Sequence, residues 1–143
     1  MSSHATHHGR GAVTALTAFP LAPRSTRWDA GKAEPAVRAR TGADTRPNAA
    51  YADCFFWHDA AAPERYGSYR LLYCDVIDDE IVAVPRAIFA VAGVLDGARG
   101  GTSIPPADQD QIKTVVGEWY GKMAAQFGDA SIVAPWAVRG SGS

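Results

Sequence analysis

The residue types that most often do chemistry are few in this chain and poorly grouped. His4, His7 and His8 crowd the amino terminus, and His58 stands beside Asp59. Imidazoles hold a metal when a rigid frame and an outer shell of hydrogen bonds fix them, and a glycine-flanked terminus supplies neither. The three N-terminal histidines therefore read as part of a solvated arm. His58-Asp59 suggests a general base, yet no G-x-S-x-G, Cys–His signature or other nucleophile context accompanies it. Asp75, Asp78, Asp79 and Glu80 could surround a Ca2+ ion. They lack the D-x-[DN]-x-[DN]-G spacing and the distant bidentate Glu of a known loop, so they read as a charged hairpin turn that keeps a strand edge from pairing. Arg99-Gly100-Gly101 shares glycines with a phosphate loop and nothing more; a helix end and a connecting turn account for it. Cys54 and Cys74, the only cysteines, sit in apolar, strand-like runs and read as buried thiols, reduced in a cytoplasm. No catalytic, cofactor-binding or metal-binding residue is assigned.

Aromatic side chains are what the sequence has in excess. It holds four Trp and five Tyr in 143 residues. Trp119 and Tyr120 fall at helical spacing and can face a core. Trp28 and Trp136 lie outside the best-marked elements and are expected to anchor the flanking segments, onto the body or onto a partner, since aromatics and Arg dominate interface hot spots. Apolar residues make up 47% and charged residues 20%, an ordinary globular composition in a length that suits one domain. The net charge of −1 hides a split: seven basic and three acidic residues up to Ala50, seven basic and twelve acidic beyond it. A basic arm on an acidic body follows, without the strongly basic stripe of a nucleic-acid binder. No apolar run is long enough to span a membrane.

The elements that must position these residues are read from periodicity and breakers. Residues 1–27 carry no acidic residue and no sustained period. Val13, Leu16, Phe19 and Leu21 are spaced as single anchors, with Arg24 and Arg27 behind them. This reads as an extended arm with too little burial of its own to fold, expected to lie on a partner. Residues 28–50 are a short helix and a linker: Asp29 is an N-cap with Ala30, Ala33 and Val37 on one face, while Pro35 argues against a regular helix. The body, 51–128, opens with the strand Cys54 to Trp57 and a loop from His58 to Gly67. Tyr69 to Ile77 and Ile81 to Val84 then form a hairpin about Asp78-Asp79. Pro85 starts a helix with Ile88, Val91, Ala92 and Leu95 on one face and Gly97 at its end. Pro105-Pro106 starts the longest helix, with Asp108 and Asp110 at its positive end and Ile112, Val115, Val116, Trp119, Tyr120 and Met123 along one face. Residues 129–143 are an irregular tail closing in a Gly/Ser stretch. The expected class is α+β: a small antiparallel sheet, hairpin plus one strand, packed by two helices, with a long N-terminal arm.

Several stretches, taken in order, carry a resemblance. They run from Ala22-Pro23-Arg24 and Arg27-Trp28-Asp29 through Gly67-Ser68-Tyr69-Arg70-Leu71, Asp75-Val76-Ile77-Asp78 and Ala83 to Ala90. Gly97 to Gly101, Ile104-Pro105, Asp108 and Trp119 to Met123 complete the series. Together, over about Pro20 to Met123, they are similar to a module of tailed-phage head proteins. That module occurs at the end of prohead proteases or as small capsid-associated proteins. Pro35 and Asp79, where a hairpin glycine is usual, depart from its pattern. The protease part of such proteins precedes the module, so no protease residue is carried over.

The resemblance implies a structural phage protein of the decoration, cement or minor capsid type. It would bind the major capsid protein and copies of itself, in the virion and, during assembly, in the host cytoplasm. The alternatives are a scaffold-type assembly module absent from the virion, and a small hydrolase or metal-dependent enzyme around His58. No cofactor, membrane or nucleic acid is expected. Val13, Leu16, Phe19, Leu21, Arg24, Arg27, Trp28 and Trp136 are the expected partner-binding residues. A chain beginning near Trp28 is expected to fold as the full chain does.

Overall fold

A computed structural model describes residues 11–137. His4, His7, His8 and Arg10, like the Gly/Ser end, lie outside the described residues. The fold is α+β. In chain order the elements are β1 (Gly11–Val13), α1 (Ala30–Arg40), α2 (Ala49–Ala52), β2 (Phe55–Asp59), β3 (Tyr69–Leu72), β4 (Cys74–Ile77), β5 (Glu80–Ala83), α3 (Pro85–Leu95) and α4 (Pro106–Phe127). The strands form two antiparallel sheets, one ordered β1-β2-β3 and the other the β4–β5 hairpin.

The two long helices follow their sequence signals. In α3, Pro85 occupies the first turn, Ile88, Val91, Ala92 and Leu95 are buried, and Gly97 stands at φ 100° just beyond the end. A residue bearing a side chain would be strained there. In α4, Ile112, Val116, Trp119, Tyr120 and Met123 are buried, and Gly128 caps the end in the left-handed conformation. The helix packs on α3 and on β1. The hairpin turns at Asp78 and Asp79, at φ 52° and 64°. Asp tolerates this region better than most residues, so no glycine is required.

Four expectations change. The run Tyr69 to Ile77 is not one strand. Phe55 faces Leu72 across β2–β3, whereas Cys74 faces Ala83 across β4–β5. Pairing changes partner at Tyr73, whose N–H donates to the Cys54 carbonyl at 3.1 Å and whose carbonyl accepts from Val84 N–H at 2.9 Å. Secondly, α1 continues through Pro35. Proline removes the bond to the Gly31 carbonyl, but Gly31 and Pro35 are both exposed, so water can serve the freed group. Asp29 still caps the helix by accepting from the N–H groups of Gly31 and Lys32, and Ala33 and Val37 are buried. The stretch read as a linker is also more ordered than expected. Ala43 is buried, and the Asn48 side chain caps α2 through Tyr51 N–H at 2.8 Å.

The fourth change is the arm. β1 pairs with β2, Ala12 opposite His58 and Val13 opposite Trp57, so the arm supplies the edge strand of the body's own sheet. Leu21 makes a parallel bridge to Ala83, flanked by bonds from Ala22 N–H to the Ala83 carbonyl and from Ala83 N–H to the Pro20 carbonyl. Val13, Phe19 and Leu21 pack on the core. An unpaired β2 edge and an apolar core are nearer surfaces than any partner, and the arm covers both. A chain beginning at Trp28 is therefore expected to melt below the full-length protein, contrary to the arm's sequence pattern. Equal melting midpoints would show that β1 adds nothing.

Trp119 is fully buried and lies 5.6 Å from the Tyr73 ring. Its indole N–H meets no hydrogen-bond acceptor among the described residues, so the ring is held by packing. Trp119→Ala is expected to cost about 3–5 kcal/mol of unfolding free energy, measured by chemical denaturation. A loss under about 1 kcal/mol, the level of ordinary surface changes, would contradict a core role.

Candidate functional site: a groove between arm and body

After Val13 the chain leaves β2. Thr14 N–H still donates to the Phe56 carbonyl at 3.0 Å, and the segment to Thr17 then crosses open surface. Beneath it lies a groove of about 650 Å³, walled by Ala12 to Thr17, by Asn48, Ala52 and Asp53 around α2, and by His58 and Tyr69. Leu16 stands on its rim, 41% exposed. A concave surface of this size, mainly apolar with a few convergent polar groups, is the usual form of a binding site.

His58 forms part of the groove wall, its imidazole stacked on Tyr69 with centroids 4.7 Å apart and planes 17° apart. Burial pushes the His58 pKa down, and Asp59 offsets this only in part, so the ring is neutral at pH 7. The sequence-adjacent Asp59 is not its partner. Successive strand residues point to opposite faces, and the Asp59 carboxylate accepts from Ala61 N–H at 2.9 Å. Burial pushes the Asp53 carboxyl up and the Tyr69 hydroxyl up, the latter helped by Glu64. Tyr69 donates to the Pro63 carbonyl at 2.8 Å.

The groove hydroxyls are tied into the structure. Thr14 Oγ1 donates to the Ala52 carbonyl at 3.3 Å. The Tyr73 hydroxyl donates to the Asp53 carbonyl at 2.8 Å, so the 2.9 Å contact with Thr17 has Thr17 as donor. These groups hold the wall in place, and the groove as built is suited to binding an apolar group beside a neutral imidazole.

A second concave surface of about 400 Å³ lies where α4 meets the tail, lined by Gly117, Gly121, Ile132, Val133 and Trp136. Val133 is 47% exposed, and Lys113 Nζ sits 5.5 Å from the Trp136 ring centroid. Ile132 and Ala134 anchor the tail in the core.

The eight expected partner-binding residues thus separate. Val13, Phe19 and Leu21 face their own core, and Trp28 is half-buried against it. Arg24 pairs with Asp129 at 2.9 Å; Ser131 and Arg24 together hold the Asp129 pKa down at about 2. These anchors join the chain to itself because a short arm meets its own body first. Leu16 and Arg27 face solvent, and Trp136 is half-buried beside Val133. The groove, with Tyr69 and Asp53, was missed: its walls come from segments far apart in sequence, and only the pairing of β1 with β2 brings them together. At the acidic hairpin, Asp79 faces Arg40, whose Nε donates to the Asp79 carbonyl at 2.8 Å. Among the described residues no group of three His, Cys, Asp or Glu converges as a metal site would require, and no helix is long and apolar enough to cross a membrane.

No family model matches the chain, and no curated protein or solved structure matches it.

Because the folded pKa of His58 lies below the unfolded value of about 6.5, the unfolded chain binds more protons as pH falls through that value. Stability is then lost on acidification and the loss levels off below the folded pKa. An NMR titration of the His58 ring is expected to give a midpoint under 6.5. A midpoint at or above it would mean that the groove wall is open to water.

Proposed function

We propose that the protein is a structural component of a tailed-phage head, a binding protein of the decoration, cement or minor capsid type and not an enzyme. Its partners on this reading are the major capsid protein and neighbouring copies of itself, and its place is the virion. The ordered series of motifs from Ala22 to Met123 supports the phage-head context.

The observation that carries the binding surface is the exposure of Leu16. Where the arm crosses from the three-stranded sheet toward the β4–β5 hairpin, its neighbours Val13, Phe19 and Leu21 turn inward, while Leu16 projects at the groove rim. An apolar side chain beside a groove gives a shell protein a pocket and a knob in one place, the arrangement that interface hot spots use. The surface is small, so multiple copies on a lattice would supply strength through avidity.

Leu16→Asp places a charge on the rim without disturbing the core. It is expected to leave the melting midpoint unchanged and to reduce co-sedimentation with empty shells at least tenfold, a difference of about 1.4 kcal/mol. Undiminished binding by this variant would place recognition elsewhere. Absence of the protein from purified mature particles would favour a scaffold-type role.

A further inference from the structure

We propose that the acidic tip of the β4–β5 hairpin of one copy docks into a pocket between Arg65 and Arg70 of a second copy, a head-to-tail contact made by charge. The pocket holds about 400 Å³, and its wall includes Trp57, Asp59, Arg65 and Arg70. Both arginines are exposed. Arg24, Arg38 and Arg40 each meet a carboxylate of their own chain; among the described residues, neither pocket arginine does. Arg70 donates to the Ser103 hydroxyl at 2.7 Å and lies 5.8 Å from the Trp57 ring centroid, which leaves its charge unmatched. The Trp57 indole N–H is already given to Asp108. The one carboxylate in the wall, that of Asp59, accepts from Ala61 N–H. The pocket is thus a concavity with two guanidiniums to one carboxylate, beside an aromatic ring.

The hairpin tip is the reverse. Asp78, Asp79 and Glu80 are consecutive and exposed, and the chain turns at Asp78 and Asp79, so three carboxylates share one narrow turn. Arg40 Nε lies 3.6 Å from the Asp79 carboxylate, whereas Asp78 and Glu80 have no such partner among the described residues. Two unmatched carboxylates therefore face two unmatched guanidiniums, and the planar arginine fork fits a carboxylate with two parallel hydrogen bonds. Pocket and tip are different surfaces of one copy. The contact is heterologous, and each copy can receive one neighbour and enter another. Exposed ion pairs are individually weak and screened by salt, so the contact gains strength where many copies are held together, as on a lattice. That setting rests on the phage-head reading, whereas the contact itself does not and is tested on the purified chain without shells.

Sedimentation of the full-length protein at rising concentration is expected to show reversible self-association at low salt. The association should vanish near ~1 M salt, where the screening length falls to about 3 Å. Arg65→Glu and Glu80→Lys each reverse one exposed side chain that makes no ion pair among the described residues, so both should keep the wild-type melting midpoint. Each alone should weaken association about fivefold or more, because like charges then meet across the contact. Mixed in equal amounts, the two variants should associate again, since each reversed charge meets its opposite on the other chain. Arg86→Glu makes the same charge change on α3, outside the pocket wall; it should associate as wild type does and should not rescue Glu80→Lys. The proposal is overturned by a protein that stays monomeric at every concentration, or by association that either single variant leaves unchanged. A mixture no stronger than its parts, or Arg86→Glu acting as Arg65→Glu does, overturns it equally. Each of these results leaves the shell binding of Leu16 to its own test.

Discussion

The fold is organised around the satisfaction of Tyr73. A buried tyrosine needs partners for its hydroxyl and its backbone, because an unmade buried hydrogen bond costs about 1–3 kcal/mol. Here those partners come from three separate segments. The N–H bonds Cys54, the carbonyl bonds Val84, and the hydroxyl bonds the Asp53 carbonyl and Thr17. The ring stacks on Phe56 at 4.2 Å and leans on Phe19 and Trp119. Burial pushes the hydroxyl pKa far up, which keeps it a donor. One residue thereby fixes both sheets, the arm and α4 relative to one another.

A second buried polar group fixes the start of β1. Asp108, 4% exposed, lies in the first turn of α4, where the helix dipole favours a carboxylate. Its Oδ2 accepts from the Trp57 indole N–H at 2.9 Å and from Gly11 N–H at 3.2 Å. A Cβ at residue 11 would overlap the Trp57 ring, so glycine alone allows this approach. Residues 11–22 are held at both ends by specific hydrogen bonds and between them by apolar packing, which leaves the crossing segment and Leu16 displayed over the groove.

A similar logic holds α1. Glu34 accepts twice from Arg38, one turn on, at 2.9 and 2.7 Å, and from the Tyr51 hydroxyl at 2.6 Å. The Arg38 guanidinium lies 3.7 Å over the Tyr66 ring. Burial, together with the bond to Glu34, pushes the Tyr51 pKa up. This network joins α1 to the aromatic cluster of Tyr51, Phe55 and Tyr69 and compensates for a helix whose proline weakens it.

Local chemistry by itself determined α3, α4 and the Asp78-Asp79 hairpin. Their apolar spacing, first-turn prolines and turn residues act within a few residues, and tertiary context agreed with them. The α+β class follows from those elements, and Asp29 was legible as a cap for the same reason. What only tertiary structure decided involves contacts between segments far apart in the chain. Gly-Ala-Val is too short to carry a strand period, and it becomes β1 because β2 offers an edge and Trp57 leaves room for glycine. Tyr69 to Ile77 reads as one run because side-chain alternation says nothing of which strand lies alongside; the change of partner at Tyr73 splits it. Pro35 is tolerated because it faces water, which sequence spacing does not reveal. The groove wall of His58, Tyr69 and Asp53 depends on the first of these, the pairing of β1 with β2. Hydrogen-bond pairing and burial between distant segments set it, and no local pattern encodes them.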